Sequence, residues 1–238
     1  PLAVGENPLT LQALDFNGTV GSIFNPVGQD SITVTYEGTI ENAGPENLIV
    51  SEIMYHPAAP SESEMAAGFE DQDRFEFLEF LNVGSREVDL GSVRIVNGVG
   101  FAFSAGSVAS LAPGGRVLVV SDTAAFAHRY GGGLPVAGSY SGNLANGGER
   151  ITVLGIGDTV IADFRYDDEN GWPEEADGDG PSLALKEEAA GAEYETPASW
   201  RASTESGGSP GAGEATGGNG FEDWLTANGG GEPLDDPN

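Results

Sequence analysis

Turn signals punctuate this chain too often for long helices. Ala112-Pro-Gly-Gly115, Asn146-Gly-Gly148 and Gly155-Ile-Gly-Asp158 separate short apolar runs at Val93–Val96, Arg116–Val120, Ile151–Leu154, Val160–Tyr166 and Ser182–Leu185. Gly, Pro, Asn and Asp supply the backbone angles of tight turns, and many short strands between such turns point to a β-sandwich or barrel. Ile49, Ser51, Ile53 and Tyr55 alternate, which predicts one face of a strand. Arg74–Asn82 carries apolar residues in both phases, as a central strand covered on both faces would. One helix is expected. Asp122 can cap it, Thr123–Tyr130 forms it and Gly131 ends it, with Phe126 and Tyr130 one turn apart. Pro57–Gln72 reads as a loop with a single helical turn near Glu64–Ala67.

Residues 1–40 form a separate small β segment. Leu9, Leu11 and Ala13 share one strand face, and Ile32, Val34 and Tyr36 share another, with turn-rich sequence at Asn17-Gly18 and Gly21–Gln29. Two strands cannot bury a core alone, so this segment is expected to end a preceding sandwich or to add strands to the next one. Residues 41–47 are a linker, 48–212 the main sandwich, and 213–238 a Gly-rich acidic tail with a short helix near 221–228. Pro1-Leu-Ala-Val reads like mid-chain sequence, so a longer parent protein is expected.

Across the main segment, short motifs follow a fixed order. They are Ile49-Val-Ser-Glu-Ile-Met-Tyr-His-Pro57, Phe77-Leu-Glu-Phe-Leu-Asn82, Val88-Asp-Leu90, Leu111-Ala-Pro-Gly-Gly-Arg116, Leu144-Ala-Asn-Gly-Gly-Glu149, Trp172-Pro173 and Ala198-Ser-Trp-Arg-Ala-Ser203, closed by Gly208-Ser-Pro-Gly211. This ordered set resembles the lamin tail domain in its bacterial extracellular form. The resemblance implies an immunoglobulin-like β-sandwich in a secreted or surface protein, an accessory or adhesive role, and no catalytic residues. The acidic Pro60–Asp73 stretch departs from that pattern and is a candidate binding surface. The first segment, with Asn7-Pro-Leu-Thr-Leu-Gln and Asp30-Ser-Ile-Thr-Val-Thr-Tyr36, is similar to the last hairpin of bacterial surface immunoglobulin-like domains.

Thirty-eight acids against nine bases leave a net charge of −29 in 238 residues. Such a surface repels nucleic-acid phosphates and anionic lipid. No run of 18 apolar residues exists for a transmembrane helix, and with no cysteine there is no disulfide or thiolate metal site.

The sequence offers little chemistry. His56 and His128 are the only histidines and lack the clustered partners of a zinc site. Gly207-Gly-Ser209-Pro-Gly211 imitates a nucleophile elbow, but Pro210 has no N–H for an oxyanion. Asp177-Gly-Asp-Gly180 with Glu188 imitates an EF-hand, yet Ser182 stands where the loop needs glycine. A looser calcium site built from Asp167, Asp168, Asp177 and Asp179 is one reading; aspartates serving tight turns is the other. Glu76 and Glu79 form a carboxylate pair but fall on opposite faces of one strand, so no enzyme is expected. The expected function is a non-catalytic structural or interaction module, bound to protein partners or to copies of itself. The alternative is a calcium-dependent carbohydrate- or polymer-binding module attached to an extracellular hydrolase; Trp172 and Trp200, inside the family-like motifs, are expected in core or loop packing, with a sugar-stacking platform as the other reading.

Overall fold

Period-two alternation closes into sheets only where partners lie in register, and here the strands find them. The structure, a computed structural model, describes residues 5–15, 25–36 and 40–214. The chain divides into two compact units, Pro1–Glu41 and Asn42–Asn238. The expected turn at Asn17-Gly18 and the helix near 221–228 lie outside the described residues.

The first unit is an antiparallel ribbon of β1 (Gly5–Asp15) and β2 (Asn25–Tyr36). β2 begins at Asn25, so part of the stretch expected to turn is strand. Register sets Leu9 opposite Ile32, and these side chains are 43% and 52% exposed.

β3 (Ile40–Asn42) leads into the second unit. There β4 (Leu48–Met54), β5 (Phe77–Asn82), β10 (Arg116–Val120), β11 (Val136–Ser139), β14 (Leu183–Leu185) and β15 (Trp200–Ala202) make a six-stranded sheet in the order β11-β10-β5-β4-β14-β15. β10 and β11 run parallel; the other neighbours are antiparallel. A second sheet has the order β13-β12-β7-β8, from β7 (Arg94–Asn97), β8 (Phe101–Ala102), β12 (Arg150–Leu154) and β13 (Val160–Arg165). The short strands β6 (Glu87–Asp89) and β9 (Ser110–Leu111) pair with each other.

One hydrophobic core joins the two large sheets, with Ile53, Leu78, Phe80, Val117 and Val119 from the first and Ile95, Ile151, Val153 and Phe164 from the second. This is an all-β sandwich. The six-stranded sheet is covered on its outer face as well. Leu118 and Val120 alternate with Val117 and Val119 and, with Met54 and Phe77, meet Phe126 of the helix α2 (Thr123–Tyr130). Full burial of a side chain such as Phe126 contributes about 1.5–3 kcal/mol. Asp122 caps α2 by accepting from the Ala124 and Ala125 N–H groups, and the Phe126 and Tyr130 rings lie 4.5 Å apart. The single helical turn expected in the acidic loop is a second short helix, α1 (Glu62–Ala66), closed by a capping box between Ser61 and Glu64.

The alternation expected in β4 breaks. Val50 opposes Phe80 and Ile53 opposes Leu78, so Val50 and Ile53 share a face although they stand three positions apart. Ser51 is the extra residue of a β-bulge, and Ile49 and Ile53 are therefore not in phase.

Candidate functional site

Two places in the second unit concentrate polar chemistry. The first follows from the bulge, which sets Glu52 directly opposite Glu79 and brings Ser51 within reach of it. Both glutamates are buried, 2% and 0% exposed. Glu52 Oε1 accepts from the Ser182 hydroxyl at 2.5 Å and the Ser209 N–H at 2.8 Å, and its Oε2 accepts from the Ser209 hydroxyl at 3.1 Å. Glu79 Oε1 accepts from Arg116 at 2.5 Å and Ser51 at 2.7 Å, and its Oε2 accepts from the Gly211 N–H at 2.6 Å. The Gly208-Ser-Pro-Gly211 segment is thus clamped onto the sheet by two carboxylates. Arg116 also reaches Glu188 at 2.6 Å.

Burial pushes the Glu52 carboxyl up to about 7, opposed by the Ser182 hydrogen bond and reinforced by the Glu79 charge. Glu79 is raised by burial too, with Arg116 pulling the other way. A raised carboxylate pair is what acid–base chemistry uses. Here, however, every oxygen of the pair is already bonded to the chain itself. Neither glutamate lines the pockets of 390, 290 and 460 Å³ found between α2 and β11 and along β13. What this arrangement does is hold the fold closed.

The second place is the end of the sandwich where His56 follows β4, Glu76 precedes β5, Glu149 precedes β12 and Tyr166 follows β13. Tyr55 and Tyr166 meet there with ring centroids 5.0 Å apart. Glu76 Oε2 accepts from the Tyr140 hydroxyl at 2.7 Å and the Leu144 N–H at 2.9 Å, while its Oε1 and the Tyr55 hydroxyl are buried without a partner. Burial raises Glu76 to about 8, against the Leu144 and Tyr140 hydrogen bonds.

All four calcium candidates lie in the loops of this region. Asp167 accepts from the N–H groups of Asp168 and Glu169 in its own turn, at 3.0 and 3.2 Å. Asp177 is bound to His56 Nδ1 at 2.6 Å. Asp168 is half-buried and Asp179 exposed. Among the described residues no three acidic or histidine side chains converge in a way that could hold a metal ion. The turn-forming reading describes Asp167, and the link to His56 describes Asp177. Trp172 and Trp200 are 7% and 1% exposed, with ring centroids 6.2 Å apart in the core, so neither presents a face to a sugar. Ser209 donates both its N–H and its hydroxyl to Glu52.

The Pro60–Asp73 stretch packs against α2. Glu64 of α1 takes two bonds from Arg129, at 2.7 and 3.0 Å, and Arg129 in turn stacks 3.5 Å over the Phe75 ring. Arg129 holds the Glu64 carboxyl down at about 2. Arg74 joins the helix cap Asp122 at 2.5 Å. His128 is exposed, with Ser63 at 3.4 Å.

Sequence reasoning missed Glu52, Ser182 and the role of Arg116. The only signal was for Glu52, an acid beside Ser51 in the mostly apolar strand Leu48–Met54, in a chain where acids are common. No family model, curated protein or solved structure matches this chain.

Proposed function

We propose that this chain is a non-catalytic structural and interaction module of a secreted or cell-surface bacterial protein, related in build to lamin tail domains and acting in surface assembly. The observation that carries this reading is the use made of Glu52 and Glu79. The pair best suited to acid–base work accepts hydrogen bonds on all its oxygens from Ser51, Arg116, Ser182, Ser209 and Gly211. The family-like Gly208-Ser-Pro-Gly211 motif has a scaffold role for the same reason. Support also comes from the ribbon, whose Leu9–Ile32 pair leaves apolar surface open, and from an acidic coat suited to solubility outside the cell.

Sedimentation velocity from micromolar to millimolar chain, with and without calcium, tests the reading. Concentration-dependent association supports it. A monomer throughout that range rules out the assembly role.

A further inference from the structure

On a chain of net charge −29, a second copy can approach closely only where charge is balanced locally. The four-stranded sheet offers such a place. Arg94, Arg150 and Arg165 stand on the strands β7, β12 and β13, and each faces an acid: Arg94 pairs with Asp158, Arg150 with Asp163 at 2.5 Å, and Arg165 with Asp167 at 3.7 Å. In the same region Val96, Ile156 and Val160 are 43%, 43% and 50% exposed.

β13 ends this sheet, and among the described residues no strand pairs with its far side. Tyr166 donates its N–H to the Glu149 carbonyl across the β12–β13 ladder. By the alternation of an antiparallel ladder, Phe164 and Ala162 also bond inward, and the N–H and C=O groups of Asp163 and Arg165 point away. Val160–Arg165 contains neither proline nor lysine, the residues that commonly blunt an edge. The other edges of the two large sheets are less available. β8 and β15 span two and three residues. β11 is met by Ser107, whose N–H and hydroxyl donate to the Ala137 and Val136 carbonyls at 2.8 and 2.9 Å. Beside β13, pockets of 290 and 460 Å³ are lined jointly by β13 and by the chain near Ala192–Thr196, which brings Glu193 and Glu195 alongside and stacks the Tyr194 ring on Phe164 at 4.5 Å.

We propose that β13 is where a second copy of this chain joins, strand to strand and antiparallel about a two-fold axis at Phe164. That axis sets Asp163 opposite the partner's Arg165 and Arg165 opposite the partner's Asp163. The outward backbone groups of these residues then exchange hydrogen bonds in the same register. Moving the axis by one residue would set aspartate against aspartate or arginine against arginine, so charge and backbone select one alignment. The contact is isologous and makes one sheet continuous across two copies. The inference rests on the assembly reading above and names the surface that serves it.

The test is sedimentation equilibrium of the full chain with Asp163→Arg, Arg165→Asp, the two together, and Arg165→Pro. Each charge reversal sets two like pairs in the dimer and is expected to weaken association about tenfold or more. The double exchange restores opposite charges and should return the constant to within about threefold of the parent. Arg165→Pro removes an outward N–H, which an edge strand tolerates, and should abolish association while circular dichroism and the melting midpoint hold. If the parent chain associates and none of these variants alters the constant, or the double exchange fails to restore it, the β13 pairing is overturned and the assembly reading stands. If the parent chain is monomeric at every concentration, the assembly reading itself falls.

Discussion

Glu52 and Glu79 are direct cross-strand partners on β4 and β5, and each accepts a backbone N–H from the closing segment, from Ser209 at 2.8 Å and from Gly211 at 2.6 Å. Glu79→Ala removes the acceptor for Arg116, Ser51 and the Gly211 N–H together. Breaking a buried ion pair in this way is expected to destabilise by about 3–5 kcal/mol in urea melts. A loss under about 1 kcal/mol, the size of an ordinary surface change, would mean the segment is held by other contacts.

Stability should fall as pH rises through neutrality. Glu52 and Glu76 titrate at about 7 and about 8 in the folded chain against 4.5 ordinarily. Between those values the folded chain keeps protons that the unfolded chain has lost. The penalty of ionising a buried carboxylate is therefore absent below 4.5 and complete above about 8. Glu64 acts in the opposite direction. Held at about 2 chiefly by Arg129, it contributes above 4.5 and is lost as pH falls towards 2. The melting midpoint should thus drop between about pH 5 and about pH 9, where Glu64 stays ionised and contributes no slope.

Glu76→Gln should flatten that slope. The amide keeps an acceptor for Tyr140 and Leu144 and cannot ionise. At alkaline pH it is expected to raise stability by about 1–3 kcal/mol, because no charge then has to be carried in the buried site. An unchanged slope in thermal melts would move the effect to other groups.

Gly208 lies at φ +80, and a Cβ there would run into the Glu52 carboxylate and stand 2.9 Å from the Ser182 hydroxyl. Gly208→Ala is expected to destabilise by about 1–3 kcal/mol and to expose the closing segment to limited proteolysis. Gly114→Ala, also at positive φ but with open space around it, should be milder.

Melting midpoints in EDTA and in millimolar calcium should coincide, because no three acids converge among the described residues. A calcium ion at 100 times its dissociation constant would add about 2.7 kcal/mol. A shift of that size, lost in Asp167→Asn, would restore the calcium reading of Asp167, Asp168, Asp177 and Asp179.

The legible parts of this fold are those decided by neighbours in sequence. α2 spans the expected Thr123–Tyr130 because its cap, Asp122, and its stop, Gly131, lie within the same few residues. β10 spans the expected Arg116–Val120 because alternating Val and Leu between turns admits little else. The bulge at Ser51 was not legible, since nothing local distinguishes an extra residue from a continued strand until the partner strand sets the register.

The sequence alone determined an all-β chain with one well-capped helix, an acidic coat and little exposed chemistry, because periodicity, caps and charge count are local or additive. Tertiary structure decided which few of the 38 acids matter. Glu52, Glu76 and Glu79 differ from the rest only in what packs around them, and a carboxylate's cost and use depend on burial and donors brought from distant parts of the chain. It also decided that β13 lies at an edge, which follows from sheet order and not from any property of Val160–Arg165 itself.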